Sequence, residues 1–154
     1  MKKISVLCFC MATILIFCSC ASASLPDISG WNNGEVRKTE LKTVSGNRGI
    51  WLERDYRTAE GTFFHAVWME GSGEKGWDIS KKTASSDDSV RLNEISSKIF
   101  EISGNSALLE KHPITGLSLT VKITKKGTLT LESTTADEDE IIKAAEAIIK
   151  SPEF

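Results

Sequence analysis

A chain of 154 residues with 19 Lys and Arg against 21 Asp and Glu carries a formal net charge of −2, which becomes −4 once Lys2 and Lys3 are set aside. A surface of that balance has no general attraction for phosphate backbones or anionic lipid heads, which argues against nucleic-acid binding. All four cysteines, Cys8, Cys10, Cys18 and Cys20, stand at or before Cys20, so the chain beyond them is expected to fold without a disulfide, a thiolate nucleophile or a cysteine metal site.

The N-terminus reads Met1-Lys2-Lys3, then an apolar run from Ile4 to Phe17, then Ser19-Cys20-Ala21-Ser22-Ala23. A positive start, a short apolar stretch and small residues at the exit are the parts of a secretory signal peptide, here residues 1–23. The run falls short of the roughly 20 apolar residues of a membrane span. Two processing routes stay open. Phe17-Cys18-Ser19-Cys20 resembles the lipobox of bacterial lipoproteins, with Cys20 as the lipidated residue, although Phe17 stands where Leu is usual. Ala21-Ser22-Ala23 equally resembles a signal-peptidase site that releases a soluble chain at Ser24.

Residues 24–34 read as an extended lead-in with Trp31 as its anchor, and residues 35–154 as one α+β domain, a size that suits one core. Glu35 to Val44 predicts a highly charged edge strand, and Ser45 to Gly49 turns it into the next. The stretch Gly49 to Gly71 predicts a hairpin with Glu60-Gly61 as its loop, which completes a three-stranded antiparallel meander. A two-residue loop sets Tyr56 opposite His65 and Leu52 opposite Met69 on one face, the better candidate for the core. It sets Arg57 opposite Phe64, Glu53 opposite Trp68 and Trp51 opposite Glu70 on the other. A three-residue loop with a bulge at Gly61 would shift this register and regroup the pairs.

Gly71 to Ser89 lacks apolar periodicity, and a short helix is expected from Asp87 or Asp88 through Ile95. Gly104-Asn105 predicts a hairpin between Lys98–Ser103 and Ser106–Lys111, and His112-Pro113 ends its second strand. Leu117, Leu119, Val121 and Ile123 alternate with polar residues, Lys125-Lys126-Gly127 turns the chain, and Leu129 and Leu131 continue the same apolar face. A closing helix is expected over Asp137 to Lys150, with Thr135 and Glu138 as a capping box. Its apolar stripe is Ile141, Ala144, Ala145, Ile148 and Ile149. The predicted fold is therefore α+β, a curved antiparallel sheet with one long C-terminal helix on one face.

Gly71-Ser72-Gly73-Glu74-Lys75-Gly76 matches G-x-G-x-x-G, yet no helix with an apolar face follows to receive a pyrophosphate, so it reads as a polar loop. With cysteine absent, a zinc site would need both histidines, His65 and His112, together with carboxylates, and no metal or other cofactor is expected. The acidic first turn of the closing helix serves the helix dipole before it serves calcium. No serine stands in a G-x-S-x-G turn, so catalytic residues are not assigned.

In the order of its elements the chain resembles the Mog1/PsbP-like group of small bacterial envelope proteins: a leader, a meander ending near Val67-Trp68, the hairpin Leu117–Leu131 and the helix Glu140–Lys150. The resemblance implies a noncatalytic accessory or binding role and carries over no site residues. The expected function is an exported binding or accessory module of the cell envelope, periplasmic or tethered to the outer membrane through Cys20. A small periplasmic hydrolase using His65 or His112 and a purely structural lipoprotein are the alternatives. Large aromatics with polar edges mark contact surfaces, so Trp51, Phe64 and Trp68 with Arg57 form the expected surface for an envelope partner or self-association.

Overall fold

The computed structural model describes residues 24–44, 46–71, 96–123 and 127–154. The leader with Cys20, the G-x-G-x-x-G stretch beyond Gly71, the helix expected from Asp87 and the turn at Lys125-Lys126 lie outside the described residues. Among the described residues, eight strands form one antiparallel sheet: β1 (Asn32–Asn33), β2 (Arg37–Thr43), β3 (Gly46–Arg57), β4 (Phe63–Gly71), β5 (Ser96–Ile102), β6 (Asn105–His112), β7 (Gly116–Ile123) and β8 (Gly127–Ser133). One helix, α1 (Glu138–Ile149), follows at the C-terminus. Strand order is β1-β3-β4-β8-β7-β6-β5, with β2 beside β1 along the outer edge of β3. The sheet dominates this layout.

The expected meander is present as β2-β3-β4. The β5–β6 hairpin is also present, though its loop is Ser103-Gly104, since Ile102 pairs with Asn105. Strand β6 ends at His112, directly before Pro113. The alternation in β7 and β8 works as its spacing dictates: Leu117, Leu119, Val121, Leu129 and Leu131 are all buried on one face. Gly127 opens β8 without a side chain for a steric reason. A Cβ there would stand 2.2 Å from the Met69 carbonyl oxygen and 2.9 Å from Trp68 Cζ2.

The two-residue loop of the β3–β4 hairpin is corrected. The Thr58 N–H donates to Thr62 O at 2.9 Å and the Gly61 N–H to Thr58 O at 3.0 Å, which leaves Ala59, Glu60 and Gly61 as a three-residue loop. Gly61 takes φ +97°, a conformation that glycine enters without a Cβ penalty. The extra residue slips the register by one, and a slip of one turns half the side chains over. Leu52 now faces Trp68, Arg54 faces Ala66 and Tyr56 faces Phe64, all on the core side. Trp51, Glu53 and Asp55 lie on the second face, opposite Met69, Val67 and His65.

Helix α1 lays Ile141, Ala144, Ala145 and Ile148 against the sheet, all fully buried, and Ile149 is partly buried beside them. Its capping box lies two residues beyond the expected Thr135 and Glu138. Asp137 is the N-cap: its carboxylate accepts from the Glu140 N–H at 2.8 Å, and Glu140 Oε2 accepts from the Asp137 N–H at 2.9 Å. This reciprocal capping box satisfies two amide donors that an unstapled helix start leaves open. Asp137→Ala is expected to lower stability by about 1 kcal/mol, read from urea denaturation.

The lead-in is part of the core. Leu25 is buried, and Trp31 stacks on Phe64 with ring centroids 5.7 Å apart and meets Tyr56 edge-on at 5.9 Å. Those contacts fix residues 24–34 across the same sheet face that α1 covers further along.

Candidate functional site

The residues expected to form a contact surface do not come together. Phe64 and Trp68 are each 1% exposed, inside the core, while Trp51 is half-buried on the opposite face. The register slip is the cause. Arg57 is exposed, with its guanidinium 6.0 Å from the centre of the Phe63 ring. An aromatic patch of Trp51, Phe64 and Trp68 is therefore not formed.

The same slip builds a different cluster. Asp55 and His65 become direct cross-strand partners, and His65 Nδ1 stands 2.7 Å from Asp55 Oδ1. A carboxylate only accepts, so Nδ1 carries the proton and the Nε2 edge of the ring is turned into an acceptor when the ring is neutral. Arg37, on β2, reaches both neighbouring carboxylates: Nε to Glu53 Oε2 at 3.4 Å and Nη1 to Asp55 Oδ2 at 3.9 Å. The register of β2 on β3 places it there, since Arg37 lies opposite Glu53. Glu53 is held below the usual carboxylate pKa first by the Trp51 side chain, against an upward push from burial, with Arg37 adding to the lowering. Four polar side chains and one tryptophan are thus connected across three strands. The sequence offered a signal for this cluster only through the three-residue loop, because the two-residue register sends Asp55 and His65 to opposite faces.

Beside the cluster is a shallow hollow of about 130 Å³ lined by Asn32, Gly34, Asp55, Tyr56, Arg57 and Phe63. Further along β4 and into β8 and β7, the second face carries Val67, Thr130 and Thr120, and Thr120 Oγ1 lies 3.5 Å from Thr130 Oγ1. Thr120, Thr128 and Leu108 are buried on this face.

His112 sits elsewhere, at the β6–β7 turn. Its Nδ1 accepts from the N–H groups of Ile114 at 3.2 Å and Thr115 at 3.3 Å, so it holds the turn and presents Nε2–H outward. A hollow of about 410 Å³ lies between this turn and the start of α1, lined among others by Lys111, His112, Thr134, Asp137 and Glu138. With Nδ1 engaged as an acceptor, the outward nitrogen of His112 is a donor and not a base. Among the described residues, no group of three or more His, Cys, Asp and Glu side chains is placed to hold a metal ion. None of their helices is long and apolar enough to cross a membrane.

No family model, no curated protein and no solved structure matches this chain.

Proposed function

We propose that this chain is an exported, noncatalytic binding or accessory module of the bacterial cell envelope that meets its partner through the second face of β2, β3 and β4. The observation that carries the reading is the Trp51–Glu53–Arg37–Asp55–His65 cluster. Arg37 offsets part of the charge of the two carboxylates at the surface, which lowers the cost of covering them. The cluster's side chains are oriented by their partners, which lowers the entropy lost on contact. Half-buried Trp51 supplies apolar area beside them. Export rests on the leader in residues 1–23, and the tether, where there is one, on Cys20. The order of strands and closing helix, which resembles that of Mog1/PsbP-like proteins, is in keeping with an accessory role.

A small periplasmic hydrolase is the second reading, favoured by one observation, the imidazole of His65 oriented by Asp55. A purely structural lipoprotein would leave the cluster without a partner.

Two measurements test the proposal in the native host. Mass spectrometry is expected to find an N-terminus at Cys20 with acyl mass, or at Ser24 without it; an intact Met1 terminus overturns export. A photo-crosslinking residue at Trp51 is expected to give one defined adduct, weakened by His65→Ala, while the same group at Lys143, on the exposed side of α1, gives none. Equal adducts at both positions, or none at Trp51, would remove the binding face.

A further inference from the structure

The two edges of the sheet are unlike each other. On one side, β2 presents Arg37, Lys38, Glu40 and Lys42, and its register on β3 shifts between Leu41 and Lys42. Charges and a bulge are how an edge strand is kept from pairing with another. On the other side, β5 reads Ser96-Ser97-Lys98-Ile99-Phe100-Glu101-Ile102, with an unbroken register on β6 and no proline. Ile99 is 45% exposed at its middle.

The hairpin loop tells which backbone groups of β5 point outward. Ser103 and Gly104 have φ of 50° and 76°, positive at both central positions of a two-residue loop, as in a type I′ turn. Ile102 and Asn105 then close the loop as a hydrogen-bonded pair, and pairs of that kind recur at every second residue. Phe100 and Lys98 spend their N–H and C=O on β6. Ser97, Ile99 and Glu101 turn theirs outward, and no strand among the described residues takes them.

We infer that β5 is the surface through which two copies of this chain associate, strand to strand and antiparallel, about a two-fold axis through Ile99. The axis must stand on a residue: one placed between residues would set side chains from opposite faces against each other. On Ile99 it pairs Ile99 with its own copy and Ser97 with Glu101, and each of these pairs closes with both hydrogen bonds. Lys98 then lies opposite Phe100 of the second copy. Within one chain Lys98 Nζ already sits 5.6 Å from the centre of the Phe100 ring, so the same cation–π contact is repeated across the axis. Ile99 neighbours buried Leu108 on β6, and the axis joins these into one apolar row, Leu108–Ile99–Ile99–Leu108. Moving the axis to Phe100 instead sets Glu101 against Ile99 and Lys98 against Ile102, charge against hydrocarbon. Because β2 is blocked, the association is isologous and closes at two copies, where two open edges would give a fibre.

The test uses the full chain purified from its native host. Sedimentation equilibrium is expected to show a monomer–dimer equilibrium. Ile99→Pro removes an outward N–H that β6 does not use, so the sheet tolerates it, and it is expected to raise the dimer dissociation constant at least about tenfold. Should that variant melt early, Ile99→Lys keeps the N–H, places two cations on the axis and is expected to give the same loss. Oxidation of Ile99→Cys is expected to give a disulfide-linked band of twice the mass, reversed by reductant, because paired residues at the axis stand within disulfide reach. Thr39→Cys on β2 and the unmodified chain are expected to give no such band. A wild-type chain that stays monomeric, association unchanged in Ile99→Lys, or Ile99→Cys no more cross-linked than Thr39→Cys overturns the inference.

Discussion

Trp68→Ala is expected to destabilise the fold by about 3–5 kcal/mol, measured by urea denaturation, because it empties the largest fully buried side chain of the core. Trp68 stands opposite Leu52 on one side and Leu129 on the other, and it meets the Phe154 ring edge-on with centroids 4.9 Å apart. A second substitution separates packing from hydrogen bonding. Trp68 Nε1 is buried with no hydrogen-bond partner among the described residues, and a buried donor left unmade costs about 1–3 kcal/mol. Trp68→Phe removes that orphan donor along with part of the ring. Its net cost is therefore expected to be far below that of Trp68→Ala. A Trp68→Ala variant as stable as the parent would mean that the residue is not core.

What the sequence made legible here was periodicity. The alternation in β7 and β8 and the stripe of α1 bury their apolar residues as the spacing requires, because each repeats over enough residues to exclude the other face. What it did not make legible was the β3–β4 register. That depended on whether Glu60-Gly61 or Ala59-Glu60-Gly61 forms the loop, a choice made by the backbone of a single glycine. Half of the candidate surface hung on that choice. Trp68 and Phe64 moved inward, Asp55 met His65, and the polar cluster replaced the aromatic patch. The cap of α1 moved for a similar local reason: Asp137 and Glu140 have the same spacing as Thr135 and Glu138, and both pairs fit the motif. Contacts with a separation as long as that from Arg54 to Leu25 had no periodic signal at all.

That contact carries the other large effect. Arg54 is a buried cation, 8% exposed, on the core face of β3. Its Nη1 donates to Leu25 O at 2.7 Å and its Nε to Gly34 O at 2.8 Å, and Nη2 pairs with Asp27. The guanidinium also lies 5.4 Å from the centre of the Tyr56 ring, and Tyr56 Oη donates to Pro26 O at 2.9 Å. These two side chains bond the extended segment ahead of β1 to the sheet. Arg54→Ala leaves the carbonyls of buried Leu25 and half-buried Gly34 without that donor, at a cost of about 1–3 kcal/mol. Hydrogen exchange is expected to show residues 24–34 opening while β7 and β8 keep their protection; equal loss in both regions would mean that Arg54 supports the whole core and not the lead-in. Tyr56 adds a pH signature. Burial pushes its pKa up to about 12 from an ordinary 10.0, with Arg54 opposing the shift. A raised pKa means that the unfolded chain releases the phenolic proton first, so this contribution is complete below pH 10 and is lost as pH rises from about 10 to 12. Tyr56→Phe is expected to flatten the alkaline limb of the stability profile over that interval, and an unchanged limb would show that Tyr56 ionises equally well in the folded chain.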